Sequence, residues 1–155
     1  MMDKILLILS TARKSNTCVK EAVDIACKEN ARLIILFVVD YEVPHKILDK
    51  LTEEGWVGRK PTETLFNAIL DEYSIQGRDK ISEIEGIAKS RGIQYKSIVR
   101  KGKFVDEALA VVEKEKVDLI MVTRRKRSSF SRFIFGSAVA ELKETANCKV
   151  KIIDE

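Results

Sequence analysis

The sequence predicts an α/β protein with a doubly wound, five-stranded parallel sheet in the order 3-2-1-4-5 and helices on both faces, a Rossmann-like arrangement. Segments 4–9, 32–39 and 117–123 consist mostly of apolar residues, which is typical of strands that are buried on both faces. Segments with helical spacing separate these runs, and the alternation of strand and helix favours parallel βαβ units. The length of 155 residues suits one domain, which we place at 1–155.

The N-terminal half alternates strands with amphipathic helices. Segment 15–30 carries apolar residues at the spacing of one helix face, namely Val19, Ala22, Val23 and Ala26. The connection 40–61 contains one short amphipathic helix after Pro44, and a longer helix follows from 62 to about 91. We expect the connection to cover the sheet edge, with a role as a lid or docking segment as the alternative. Gly77 lies on the apolar face of the longer helix, where it allows close packing, with a break in the helix at this position as the alternative.

The C-terminal half supplies the remaining strands, two of which have the pattern of edge strands. Segments 93–99 and 148–154 alternate apolar and polar residues, whereas 117–123 has the pattern of a third buried strand. Helices are predicted at 104–116 and 137–146. Parallel doubly wound sheets bind ligands beyond the carboxyl ends of the strands where the strand order reverses. Here that switch point lies between the first and fourth strands.

Composition excludes several classes of protein. No apolar run approaches the roughly 20 residues of a membrane-spanning helix. Asp3 and Lys4 precede the first apolar run, which is not the pattern of a signal peptide, so we expect a cytoplasmic protein. With one histidine, His45, placed in a loop without an acid–base partner, and no CxxC pair, no metal site is inferred. We expect buried, reduced thiols at Cys18, Cys27 and Cys148.

A basic loop after the third buried strand is the strongest candidate for a site. It carries four consecutive cations, which are Arg124, Arg125, Lys126 and Arg127. Gly136 and Ser137 then stand at the head of a predicted helix, and free amides at a helix N-terminus favour anions. Charge-assisted bonds from the cations would strengthen such a site. A solvated loop is the alternative, and the net charge of +4 does not by itself indicate nucleic acid.

The order of these segments resembles the universal stress protein family, whose fold is that of the adenine nucleotide alpha hydrolase-like proteins. The resemblance rests on "ILLILSTA", "EAVDIACKENARLIILFVVD", "GKFVDEALAVVEKEKVDLIMVT" and "FIFGSAVAELKETANCKVKIID". It covers nearly the whole chain. It implies an adenine nucleotide, ATP or AMP, as the candidate ligand. Val38 matches the position whose backbone meets the adenine, and Gly136 and Ser137 match the end of the phosphate loop.

Three signature residues of the nucleotide-binding branch are absent. That branch has a G-x2-G-x9-G-[ST] loop and an acid after the first strand. Thr123 and Lys126 occupy the first two glycine positions, and Ser10 occupies the position of the acid. Thr123 is β-branched and resists the positive φ that glycine allows. Ser10 lacks the charge with which a carboxylate accepts hydrogen bonds from two ribose hydroxyls. These departures predict weak or absent binding of ATP.

The resemblance therefore implies a non-enzymatic regulatory or binding protein with an altered nucleotide or anion site. Two alternatives stay open: an ATP-binding member whose basic loop compensates for the glycines, with slow hydrolysis, and a polyanion or nucleic-acid binder. Nucleic acid is the less favoured, because only Phe130 and Phe133 interleave with the cations. No catalytic motif occurs in the sequence. A homodimer through strand 148–154 is expected, since an exposed strand edge favours pairing across a twofold axis.

Overall fold

The structure, a computed structural model, describes residues 2–10, 15–40, 42–55, 59–124 and 137–154. The elements in chain order are β1 (Lys4–Leu9), α1 (Asn16–Glu29), β2 (Arg32–Asp40), α2 (Glu42–Glu53), α3 (Arg59–Ser90), β3 (Tyr95–Gly102), α4 (Phe104–Glu115), β4 (Leu119–Arg124), α5 (Ser137–Thr145) and β5 (Lys149–Asp154).

The described strands form one five-stranded sheet in the order β3-β2-β1-β4-β5, with every neighbouring pair parallel. The predicted fold class and strand order are therefore confirmed. β3 and β5 are the edge strands, as their alternating patterns predicted. The central strand β1 pairs with β2 on one side and with β4 on the other, so the switch point lies between β1 and β4.

Two apolar clusters, one on each face of the sheet, make up the core. The face toward α1 and α3 buries side chains such as Leu7, Val23 and Ile84. The opposite face buries Ile8 and Val122 of the sheet together with side chains of α4 and α5. Because the central strands are covered on both faces, nearly all of their residues are buried, which explains their continuously apolar sequences.

The connection 40–61 is more regular than the sequence predicted. Asp40 ends β2, and α2 begins at Glu42, two residues before Pro44. Proline fits the first turn of a helix because the first amides there have no partner within the helix. For the same reason α3 begins at Arg59, before Pro61 and ahead of the predicted start at 62.

Gly77 packs closely, as predicted. A Cβ atom on Gly77 would lie 2.4 Å from Cδ1 of Phe37, which is buried in β2. The long helix α3 therefore approaches the sheet at a point where only glycine fits. Gly86, further along the same helix, does not share this constraint, because a Cβ atom there would have no neighbouring atom within 4 Å.

Polar contacts tie the amino ends of the strands together. Asp118 accepts hydrogen bonds from the backbone amides of Asp3 and Lys4, at 2.8 and 2.9 Å. These two amides lower the pKa of Asp118. Glu115 accepts a hydrogen bond from the ammonium group of Lys96, which lowers the pKa of Glu115 against the opposing effect of its burial. The start of β1 is thereby joined to the start of β4, and α4 to β3.

Two predictions about single residues were wrong. Cys27 is exposed, because it lies on the outer side of the last turn of α1, whereas Cys18 is buried and Cys148 is half-buried. Burial raises the pKa of the Cys148 thiol. His45 lies in α2 instead of a loop and has a carboxylate partner one turn away, with Nδ1 3.0 Å from Oδ2 of Asp49.

Candidate functional site

The carboxyl ends of β1, β2 and β4 converge at one edge of the sheet. Leu9, the last residue of β1, is the partner of Phe37 in β2, and Ile8 is the partner of Val122 in β4. The register continues so that Thr123 stands at the level of Leu9, and Ser10 lies one residue beyond that level, next to the switch point. Val38 stands on the other flank of β1.

Val38 contributes backbone to this edge. Its side chain is fully buried in the cluster under α4, together with that of Phe104, and its strand partner in β3 is Arg100. The side chain is therefore occupied by core packing, and a ligand beside β2 would contact the main chain at this position. This agrees with the backbone role that the resemblance implies for Val38, which stays a prediction.

Arg124 is the one member of the predicted cation run that the structure describes. Its guanidinium makes two hydrogen bonds to the carboxylate of Asp154, Nε to Oδ1 at 2.8 Å and Nη2 to Oδ2 at 3.1 Å. These bonds raise the pKa of Arg124. The pair joins the end of β4 to the end of β5, so a phosphate that binds Arg124 must share or displace Asp154.

The remaining candidate residues of the phosphate site lie outside the described residues or at the first residue of a described segment. Arg125, Lys126, Arg127 and Gly136 lie outside the described residues. Ser137 is the first residue of α5. The proposed roles of these residues stay predictions. The described geometry places the start of α5 after the same strand, β4, whose end carries Thr123 and Arg124.

Thr123 and Ser10 are both buried, at 1% and 8% exposure. Thr123 continues β4 without a break, and its Oγ1 atom has no hydrogen-bond partner among the described residues. A buried donor without an acceptor is uncommon in folded proteins and points to strain, an unseen ligand or function. The strand conformation also agrees with the expectation that a β-branched residue resists the positive φ of the family's glycine.

Further residues at this edge were missed in the sequence reasoning. Asp40, at the end of β2, pairs with Gly102 at the end of β3. Gly102 has φ of +155°, and a Cβ atom there would lie 2.6 Å from Oε1 of Glu107. Glu107 in turn accepts a hydrogen bond from Nε of Arg100 at 2.7 Å. In the sequence, this close contact was indicated only by Gly102 itself, a glycine between an edge strand and a helix.

The described part of the chain contains no group of three or more histidine, cysteine, aspartate or glutamate residues arranged to hold a metal ion. Among the same residues, no helix is long and apolar enough to cross a membrane.

The parallel sheet, the reversal of strand order beside β1 and the start of α5 after β4 define an α/β protein of the doubly wound class. The family model described as the Universal stress protein family matches residues 1–154. The chain belongs to the universal stress protein family. This confirms the resemblance inferred from the sequence.

Individual relatives are distant but match over nearly the full chain. A universal stress protein of Methanocaldococcus jannaschii is 22% identical over 153 residues, which are 99% of this chain and 82% of the relative. The structure of a universal stress protein from Lactobacillus plantarum has a TM-score of 0.74 at 20% identity and covers 98% of this chain and 97% of its own. The structure of the universal stress protein from Archaeoglobus fulgidus in complex with dAMP has a TM-score of 0.61 at 13% identity. The match covers 99% of this chain and 98% of that protein. At these identities the structural likeness shows the shared fold.

Proposed function

We propose that this protein is a non-enzymatic, universal-stress-type binding protein whose switch-point site takes phosphate-bearing anions, with ATP or AMP bound weakly. The observation that carries the proposal is the pair of residues beside β1. Ser10 and Thr123 stand at the switch point, where the nucleotide-binding branch has an acid and a glycine. The dAMP complex of the relative from Archaeoglobus fulgidus supports a nucleotide monophosphate as one ligand of this fold.

Ribose recognition is the part of the site that we expect to be weakest. A hydroxyl such as that of Ser10 lacks the charge that a carboxylate offers to two ribose hydroxyls. Each hydrogen bond to a charged group that is lost costs about 1.5–3 kcal/mol. Two such losses weaken ATP binding by roughly 150-fold to 25,000-fold relative to a site that retains them. Phosphate recognition is retained through the start of α5 and the cations that precede it.

Isothermal titration tests the proposal. ATP, AMP and tripolyphosphate are titrated at low salt and at 0.15 M salt, where the Debye length is about 8 Å. We expect tripolyphosphate to bind at low salt, with an affinity that falls at higher salt, and ATP to gain little from its adenosine. Submicromolar ATP binding that persists at 0.15 M salt would contradict the proposal. It would favour the alternative of an ATP-binding protein with a compensating basic loop.

A charge-matched pair of variants tests the source of the anion affinity. Replacing Arg125, Lys126 and Arg127 with serine removes three cations from the basic loop. Replacing Lys20, Lys28 and Lys89 with serine removes three exposed cations from α1 and α3 and changes the net charge equally. We expect the first variant to lose most tripolyphosphate affinity and the second to keep it. Equal losses would show that net charge alone governs binding.

The expected partner is a second copy of the chain, paired through the β5 edge. β5 ends the sheet and alternates exposed and partly buried residues, so one hydrogen-bonding edge is left without a strand neighbour among the described residues. Static light scattering at micromolar concentration should give the mass of a dimer. A monomer at that concentration would contradict the pairing.

A cytoplasmic location and the single domain 1–155 stay predictions from the sequence.

A further inference from the structure

We propose that the Thr123 hydroxyl is a recognition group of the switch-point site, where it donates a hydrogen bond to a phosphoryl oxygen of the bound ligand. The inference rests on the proposed function, because it assigns a new contact within the same site. It does not follow from the pattern of the nucleotide-binding branch, which has glycine at this position and therefore has no side chain there. The observation that carries it is a buried hydroxyl for which the described residues supply no partner.

The position of the side chain follows from the alternation of β4. Met121 packs in the apolar cluster on the face covered by α1 and α3. Side chains two residues apart on a strand lie on the same face, so Thr123 lies on that face as well, at the edge of the core where the strand ends. Its strand partner in β5 is Ile153, which also packs against this cluster. The Thr123 side chain thus lies at the end of this apolar cluster, beside the switch point.

The start of α1 offers donors to an anion, and the carboxylate of Glu21, one turn further along α1, is paired with Lys151 at 2.9 Å. α1 begins beside the carboxyl ends of the strands. Ser15 at its N-cap is buried and makes no capping hydrogen bond with its side chain. The first turn of α1 contains no acidic residue. A helix N-terminus favours an anion, and a phosphoryl oxygen is the acceptor that Thr123 lacks.

Burial of the hydroxyl has a kinetic consequence. Because Thr123 is only 1% exposed, the end of β4 must open before a ligand reaches it. Binding that requires a conformational change associates more slowly than the usual range for preformed sites. We therefore expect slow association of tripolyphosphate, with a rate that saturates as its concentration rises.

Two substitutions distinguish the effect of the Thr123 hydroxyl from the effect of the shape of its side chain. Thr123→Val keeps the branched shape and removes the donor, whereas Thr123→Ser keeps the donor. Without a ligand, Thr123→Val should unfold at the same temperature as the wild type or higher, because the hydroxyl it removes has no partner among the residues that the structure describes. With tripolyphosphate and with ATP, Thr123→Val should bind about tenfold more weakly, and Thr123→Ser should stay within about threefold of the wild type.

The outcomes distinguish the inference from the function on which it rests. Thr52→Val serves as the control, because the Thr52 hydroxyl donates to the Leu48 carbonyl at 2.9 Å within α2, and this variant should bind like the wild type. If the wild type binds tripolyphosphate or ATP and Thr123→Val binds equally well, the inference is overturned and the proposed function stands. If the wild type binds neither compound, both are overturned. A clear fall in the unfolding temperature of unliganded Thr123→Val would also overturn the inference, since it would reveal a partner within the protein.

Discussion

The two ends of the sheet satisfy their polar groups in different ways. At the amino end, the Asp118 carboxylate accepts two backbone amides and Glu115 accepts the ammonium group of Lys96. At the carboxyl end, the described residues offer no partner to the buried hydroxyl of Thr123. Arg124 at that end is paired with Asp154 in a contact that is partly exposed. Within the described part of the chain, the polar groups named at the amino end all have partners, whereas the carboxyl end has a buried hydroxyl without one.

We infer from this difference that the two ends of the sheet have different roles, one in the stability of the fold and the other in ligand binding. A parallel sheet places ligands at the carboxyl ends of its strands, so residues at the amino ends are available for contacts that stabilise the fold. In a binding site, some polar groups of the protein form their hydrogen bonds only when the ligand is bound. We therefore expect substitutions at the amino end to change the free energy of unfolding, and substitutions at the carboxyl end to change binding.

The largest expected effect on stability concerns the packing of α3 on the carboxyl half of β2. Gly77→Ala should destabilise the protein by about 1–2 kcal/mol, because overpacking against the Phe37 ring exceeds the gain of about 1 kcal/mol in helix propensity. Gly86→Ala should stabilise the protein by about 0.5–1 kcal/mol, since nothing lies near its Cβ position. Urea denaturation of both variants measures the difference. Equal shifts of the same sign would contradict the close approach at Gly77.

Asp118→Asn tests the amino end, and its effect should depend on pH. The pKa of Asp118 is lowered in the folded state, so its stabilisation is present above the unfolded pKa of about 4 and is lost as the pH falls through the folded pKa. Asp118 is largely exposed, so we expect a loss of only about 1 kcal/mol at pH 7. Denaturant unfolding should show the difference from the wild type shrinking toward about pH 2. Asp71→Asn, an exposed substitution on α3, should change stability by less than about 0.5 kcal/mol.

Asp154→Asn should have a small effect on stability and a distinct effect on binding. The Arg124–Asp154 pair is more than a third exposed on both sides, so breaking it costs less than about 1 kcal/mol. Freed from the carboxylate, Arg124 should raise the affinity for tripolyphosphate a fewfold at low salt. Asp118→Asn removes the same charge at the opposite end of the sheet and should leave that affinity nearly unchanged. An equal increase in both variants would indicate a general effect of net charge.

The core and its topology were predictable from the sequence because burial on both faces leaves a long-range signal. The runs 4–9, 32–39 and 117–123 are apolar for that reason, and the alternation at 148–154 identified an edge strand. The predicted ends of the helices were less accurate, because several local sequence preferences act together at those positions. α2 begins before Pro44, because proline is tolerated in the first turn of a helix.

The contacts of the candidate site depend on pairings that the sequence does not reveal. The Arg124–Asp154 pair joins residues 30 positions apart, and only the parallel register of β4 with β5 brings them together. The run of four cations gave no indication that its first member is engaged by a carboxylate. Likewise, Thr123 was identified as a departure from glycine, but the absence of a partner for its hydroxyl is a property of the packed structure.

The most direct test of the difference between the two ends is an NMR titration of the ¹⁵N-labelled wild type with tripolyphosphate at low salt. We predict that the amide signals of Ser10, Val38, Thr123 and Ser137 shift or broaden, while those of Asp3, Lys4 and Asp118 stay unchanged. Shifts confined to the amino end, or spread evenly over exposed lysines on both ends, would contradict a binding site at the switch point.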